Sequence, residues 1–266
     1  MLNIARVWSD DGMEGRVVHG RLARIQRHPH SVYLFMHEVA SFFGFVCGGS
    51  IVNQRVILTA AHCFETVTNK WNITATVGST HMDKGHKFSV NSIKVHPKYD
   101  TFKVRNDIAL AGLDKPIVFG LKTKRIVLAR QRRSEGMAIL AGWGVVKEFP
   151  CHRNSKYLHE VPVPFMSRES CKKIYEQMNK GTFCGGKMRA TSHPSVGDSG
   201  SPLVVKNYIQ IGLVSYKNNH ISRSMIIYTD VPYFYDWITE NAKSVYCKKN
   251  YDLPNLNNTS SYDVTL

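Results

Sequence analysis

Short apolar runs divide this chain, each closed by Gly, Asn, Asp or Pro. The runs "RVILTAAHC" (55–63), "SIKVH" (92–96), "MAILAGWGVV" (137–146), "SPLVV" (201–205), "YIQIGLVS" (208–215) and "SMIIYTDV" (224–231) have the length and the Val/Ile content of strands. Two segments repeat apolar residues at helical spacing instead. In "SRESCKKIYEQM" (167–178) Cys171, Ile174 and Met178 share a face; in "VPYFYDWITENAKSV" (231–245) Phe234, Trp237 and Ile238 do, with Pro232 near the start. No repeat of fixed period occurs. Residues 246–266, rich in Asn, Ser and Lys, read as a loose tail. The pattern predicts an all-β protein ending in a helix at about 232–245.

Composition narrows this picture. With 266 residues, 43% hydrophobic and 11% aromatic, the chain can bury a sizeable core. No apolar run is long enough to span a bilayer, so no membrane is expected. The net charge of +15 is partly concentrated in "KTKRIVLARQRR" (122–133), with six basic residues. That stretch reads as a solvated linker between two halves, or as an exosite for an acidic glycan. No aromatic-studded basic strand accompanies it, which argues against a nucleic-acid partner. Six cysteines and acceptor triplets at Asn72, Asn257 and Asn258 lean toward secretion, although "MLNIARVWSDDGMEGR" has no signal-peptide core. "STHMDKGHKF" (79–88) is too poor in acids for calcium, and the histidines lack zinc spacing. No cofactor is expected.

The candidate chemistry lies in three short segments. A serine hydroxyl needs a base, a group that orients the base, and donors for a developing oxyanion. "LTAAHC" supplies His62, "NDIALAGL" supplies Asp107, and "SVGDSGSP" (195–202) supplies Ser199 between glycines. Each segment alone is unremarkable. Together, and in this order, they resemble the chymotrypsin/trypsin family of serine peptidases. "CGGSIV" (47–52), "GWG" (142–144), "VSY" (214–216) and "YTDVPYFYDWI" (228–238) extend the resemblance over about residues 17–245.

The resemblance implies two six-stranded antiparallel β-barrels packed together, at about 17–121 and 134–230. A short propeptide (1–16) precedes them. It implies a serine endopeptidase with catalytic His62, Asp107 and Ser199, and an oxyanion hole from the amides of Gly197 and Ser199. Ser215 would support Asp107. Cleavage after Arg16 would free Val17, whose ammonium would pair with buried Asp198; His19 departs from the family's usual glycine. Cys47–Cys63 and Cys171–Cys184 are implied disulfides. Cys151 and Cys247 match no family pair: they join each other, join another chain, or stay free. Implied partners are a protein or peptide substrate, an activating protease and a serpin-type inhibitor.

The specificity pocket departs from the pattern. His193 stands where trypsin-like enzymes carry an acid, so non-tryptic specificity is expected. Ser195 replaces one half of a family disulfide, and 216–224 holds no cysteine for the other half. Ile226 and Lys217 replace wall glycines. Ile226 should make the pocket shallow; Lys217 either favours an acidic residue before the scissile bond or points into solvent. The alternative reading of these departures is a weak or inactive serine-protease-like binding or regulatory protein.

Overall fold

A computed structural model describes residues 20–39, 44–147, 153–245 and 251–252. Twelve strands form two closed antiparallel barrels. The first contains β1 (Ser31–Glu38), β2 (Gly44–Asn53), β3 (Val56–Thr59), β4 (Trp71–Val77), β5 (His86–Val95) and β6 (Ala109–Leu113). Its order is β5-β4-β1-β2-β3-β6, and β6 pairs back to β5. The second contains β7 (Gly136–Gly142), β8 (His159–Phe165), β9 (Thr182–Gly186), β10 (Pro202–Val205), β11 (Ile209–Lys217) and β12 (Met225–Asp230). Its order is β8-β9-β12-β11-β10-β7, closed by β7 on β8. Closure leaves no long free edge in either sheet.

All six apolar runs contribute to barrel strands, because Val and Ile at alternate positions fill the barrel interiors. Val32, Leu34 and Met36 of β1 and Ile57 and Leu58 of β3 are fully buried in the first core. Leu140, Phe183, Leu203, Val214 and Tyr228 form the second.

The 122–133 stretch is not a solvated linker along its length. Lys124 and Ile126 donate backbone hydrogen bonds to Pro29 and Ile51 of the first barrel. Val127–Leu128 then forms a short parallel pairing with β11 of the second. Ile126 and Ala129 are buried. The apolar "IVLA" inside the basic run thus stitches the barrels together, while its cations other than Arg132 are exposed.

Two helices, α1 (Arg168–Lys172) and α2 (Tyr235–Ala242), are shorter than the periodicity predicts. In α1 the Ser167 hydroxyl accepts the Ser170 amide at 3.0 Å as an N-cap. The chain then leaves the helix, and the Arg168 guanidinium donates to the carbonyls of Met178 and Asn179. The expected apolar face is still used: Cys171 is buried, with Ile174 and Met178 packed beside it. Phe234, Ile238 and Ala242 of the α2 region dock on the first barrel although α2 follows the second. No helix among the described residues is long and apolar enough to cross a membrane.

A charged cluster fastens the entering chain. Arg21, in the short Arg21–Leu22 strand, pairs with Glu160 of β8, and its Nε donates to the Glu160 carboxylate at 2.7 Å. Arg27 lies 3.5 Å from the same carboxylate, and His28 Nε2 bonds its other oxygen.

Candidate active site

His62 sits in a single 3-10 turn, Ala61–Phe64, directly after β3. A disulfide from Cys63 to Cys47 on β2 ties that turn to the barrel. Asp107 precedes β6 and follows a turn in which Val104 and Asn106 have φ of 45° and 51°. Asn tolerates that left-handed region and Val does not, so the turn is held by its surroundings.

These two local structures bring the side chains together. The His62 Nδ1–H donates to Asp107 Oδ2 at 2.8 Å, and the His62 backbone amide donates to Oδ1 at 3.0 Å. The Ser215 hydroxyl, on β11 of the other barrel, donates to Oδ2. Thr229 of β12 donates to the Asp107 carbonyl at 2.8 Å. Asp107 is therefore gripped from both barrels. Burial pushes its carboxyl up, but the His62 charge and these hydrogen bonds outweigh burial and hold it below the ordinary carboxylate range. Burial pushes His62 down, yet Asp107 more than compensates and the imidazole titrates above its ordinary value. His62 keeps about 25% of its side chain exposed, whereas Asp107 keeps 1%. The imidazole thus shows its free nitrogen to the cleft and its bonded one to the protein.

Ser199 lies just before β10, at the same junction. Gly48 donates to its carbonyl at 2.7 Å, and Cys63 Sγ is 3.9 Å from that oxygen. Among the hydrogen bonds of the described residues none joins its hydroxyl to His62. Gly200 has φ +77°, and a Cβ there would lie 2.2 Å from Thr59 Oγ1. Gly197 has φ +93°. Among the described residues neither the Gly197 nor the Ser199 amide has a backbone acceptor. The Val196 carbonyl accepts the Val145 amide at 2.7 Å.

Asp198 is fully buried. Its carboxylate accepts the Gly144 and Ser195 amides, each at 2.9 Å. Burial pushes its pKa up to about 6; the two amides and the Lys217 charge pull against it. "GWG" has a role here that the sequence reading missed. A Cβ on Gly142 would come within 2.0 Å of this carboxylate, and one on Gly144 within 2.4 Å. The two-residue glycine spacing, in strand-like context, was the available signal. Arg16, Val17 and His19 lie outside the described residues, as do Cys151 and Cys247.

Lys217 and Ile226 lie on paired strands, and His193 lies in the loop between β9 and β10. His193 is buried, and its Nδ1 lies 3.0 Å from the Pro194 carbonyl. Ile226 pairs with Lys217 on one side and Gly185 on the other. It is 2% exposed and packs in the second core with Val214 and Tyr228. Lys217 is partly exposed. Where the family disulfide is missing, serines bridge the loops. Ser224 Oγ donates to the Lys187 carbonyl at 2.7 Å and accepts the Ala190 amide at 3.0 Å. Cys171 and Cys184 are disulfide-bonded behind this region.

One group among the described residues has metal-like closeness: His62 with Cys47 and Cys63. Both sulfurs are consumed in the disulfide and offer no thiolate.

Two closed barrels, with a buried carboxylate, an imidazole and a glycine-flanked serine at their junction, define the architecture of a serine peptidase. The Trypsin family model matches residues 17–238. Hypodermin-B of Hypoderma lineatum is 33% identical over 243 residues, covering 87% of this chain and 90% of its own. A trypsin of Sarcophaga bullata is 31% identical over 240 residues, covering 88% and 91%. A trypsin of Simulium vittatum is 33% identical over 214 residues, covering 77% and 83%. The chain belongs to the trypsin family and is a serine-type endopeptidase, a hydrolase acting on protein or peptide substrates.

Proposed function

We propose that peptide bonds are cleaved here through an acyl-enzyme formed on Ser199. His62 takes the Ser199 proton and later returns it to the leaving amine. Asp107 holds the imidazole in the tautomer that leaves Nε2 free to accept, and stabilises the imidazolium. The amides of Gly197 and Ser199 bind the oxyanion. The single observation carrying this reading is the 2.8 Å His62–Asp107 bond, completed from the other barrel by Ser215.

The enzyme is made as a zymogen. Residues 1–16 are a propeptide, 17–245 the peptidase domain and 246–266 a tail. Cleavage after Arg16 supplies the Val17 ammonium to Asp198, a buried carboxylate whose hydrogen bonds among the described residues come from two amides. Specificity is non-tryptic: His193 replaces the acid that would pair with Arg or Lys, and Ile226 occupies a wall. The protein acts outside the cell, consistent with two disulfides and exposed Asn72.

A fluorophosphonate probe applied to the protein cleaved at Arg16 should label Ser199. Peptide-library profiling should then give cleavage products that vanish in Ser199→Ala. A processed, folded protein that neither labels nor cleaves would end the proposal. Preferred cleavage after Arg or Lys would end the specificity part alone.

A further inference from the structure

The second barrel has a cavity of about 360 Å³ at the end away from Ser199. Four strand termini meet there. Gly136 starts β7, Phe165 ends β8, Val205 ends β10 and Ile209 starts β11. Ser199 precedes the opposite end of β10, so the length of that strand, roughly 10 Å, separates the cavity from the nucleophile. The cavity is therefore no part of the catalytic cleft.

Its walls are of two kinds. The floor is apolar, from Phe165, Ile209 and Ile211, with Met137 58% exposed at the edge. The rim is cationic, from Arg132, Arg133 and Lys206. Arg132 is fixed rather than free to wave. Its guanidinium stacks 4.1 Å over the Phe183 ring and lies 3.4 Å from Asp230, with only about 10% of the side chain exposed. Its Nε, buried, has no hydrogen-bond partner among the described residues. Arg133 and Lys206 are exposed. Glu135 is the exposed acid next in sequence and Asp230 the partly buried one, so the cations outnumber the acids. Lys206 and Asn207 turn with φ of 52° and 65° in the three-residue hairpin loop 206–208, which sets Lys206 on the rim.

We propose that this cavity is an exosite for an acidic peptide segment carrying a bulky apolar side chain. The apolar side chain seats on the floor and flanking carboxylates meet Arg133 and Lys206. Charge complementarity selects an anion, and the floor selects a peptide over a sulfated sugar, which has no side chain to bury there. Such a site would hold a protein substrate or regulator by a segment remote from the scissile bond. Binding here does not rest on the catalytic reading of Ser199.

The probe is a fluorescein-labelled peptide, Asp-Glu-Phe-Glu-Asp-Leu, titrated against the full chain by anisotropy at low and high salt. Arg133→Glu with Lys206→Glu should weaken binding at least about tenfold, and added salt should weaken it too. Replacing the peptide's Phe and Leu by Gly should also abolish most of the affinity. On the unaltered protein, saturating peptide should protect Met137 from peroxide oxidation, a readout that needs no variant to fold. In the protein cleaved at Arg16, covalent fluorophosphonate on Ser199 should leave the affinity unchanged. The proposal is overturned if the peptide fails to bind, if the Gly peptide binds as tightly, or if the labelled active site blocks it. It is also overturned if a sulfated oligosaccharide binds through Arg133 and Lys206 while the peptide does not.

Discussion

Asp107 and Asp198 are the same residue type, both buried at the barrel junction, and they behave in opposite ways. Asp107 is held below the usual carboxylate range; Asp198 is driven up to about 6. Burial opposes ionisation at both. The difference is in the partners. Asp107 faces an imidazole, a hydroxyl and a backbone amide, contributed by both barrels. Asp198 faces two amides in a cradle lined by glycine. The lesson is that a buried acid's role follows from the cation it has. Asp107 has the His62 imidazole at 2.8 Å, whereas Asp198 has two amides and the charge of Lys217.

The comparison breaks most sharply at its stronger side. Asp107→Asn should lower kcat by about 10⁴-fold, because the amide favours the wrong imidazole tautomer. Steady-state turnover of a cleavable peptide checks this, and a loss below tenfold would remove Asp107 from the mechanism. The Asp198 side should be next. Gly144→Ala drives a Cβ into the carboxylate and should disorder the oxyanion loop, costing about 10²–10³ in kcat while leaving the His62–Asp107 pair intact.

Stability against pH separates the two acids by sign. A raised carboxylate pKa means the folded state holds a proton that the unfolded state has lost. Stability contributed at Asp198 is therefore full below the ordinary carboxylate value and falls as pH rises through it toward 6. An uncleavable Arg16→Gln chain should lose about 3 kcal/mol over that window relative to the processed enzyme, as read by urea unfolding at each pH. Asp107 works the other way: its stabilisation is present above the ordinary carboxylate value and is lost in acid. If both forms share one pH profile, Asp198 is not the group that processing neutralises.

Activity should have an acid limb centred above 6.5, the ordinary histidine value, since His62 is raised and only its neutral form accepts the Ser199 proton. A limb at or below that value would mean that Asp107 does not govern the imidazole. The smallest effect belongs to the cluster at the chain entry. Arg21→Ala removes an exposed partner of Glu160 and should cost about 0–1 kcal/mol, because Arg27 and His28 remain. A larger loss would make that pair a principal anchor of the N-terminal segment.

Much of the site could be read from the chain. A histidine after a strand-like run, an aspartate before another and a serine between glycines each have local chemistry that makes sense alone. Their order carried the family. The strands were legible because barrel interiors enforce alternation. The helices were overextended, since apolar spacing at 173–178 serves packing against Cys184 and Met225 and says nothing of backbone form. The basic stretch 122–133 misled in a similar way: its charges mark a surface, while "IVLA" within it joins the barrels.

The sequence by itself determined which residue types were available and that the chain would form β-barrels with a glycine-framed serine. It could do so because alternation, turn residues and nucleophile surroundings are local. Tertiary structure alone decided that Asp107 meets Ser215 across 108 positions of chain, and that Asp198 nests against Gly142 and Gly144. It alone placed Arg132 over Phe183 at the mouth of a cavity. Electrostatic fate depends on distances of a few ångströms between groups far apart in sequence, and only closing the two barrels sets those distances.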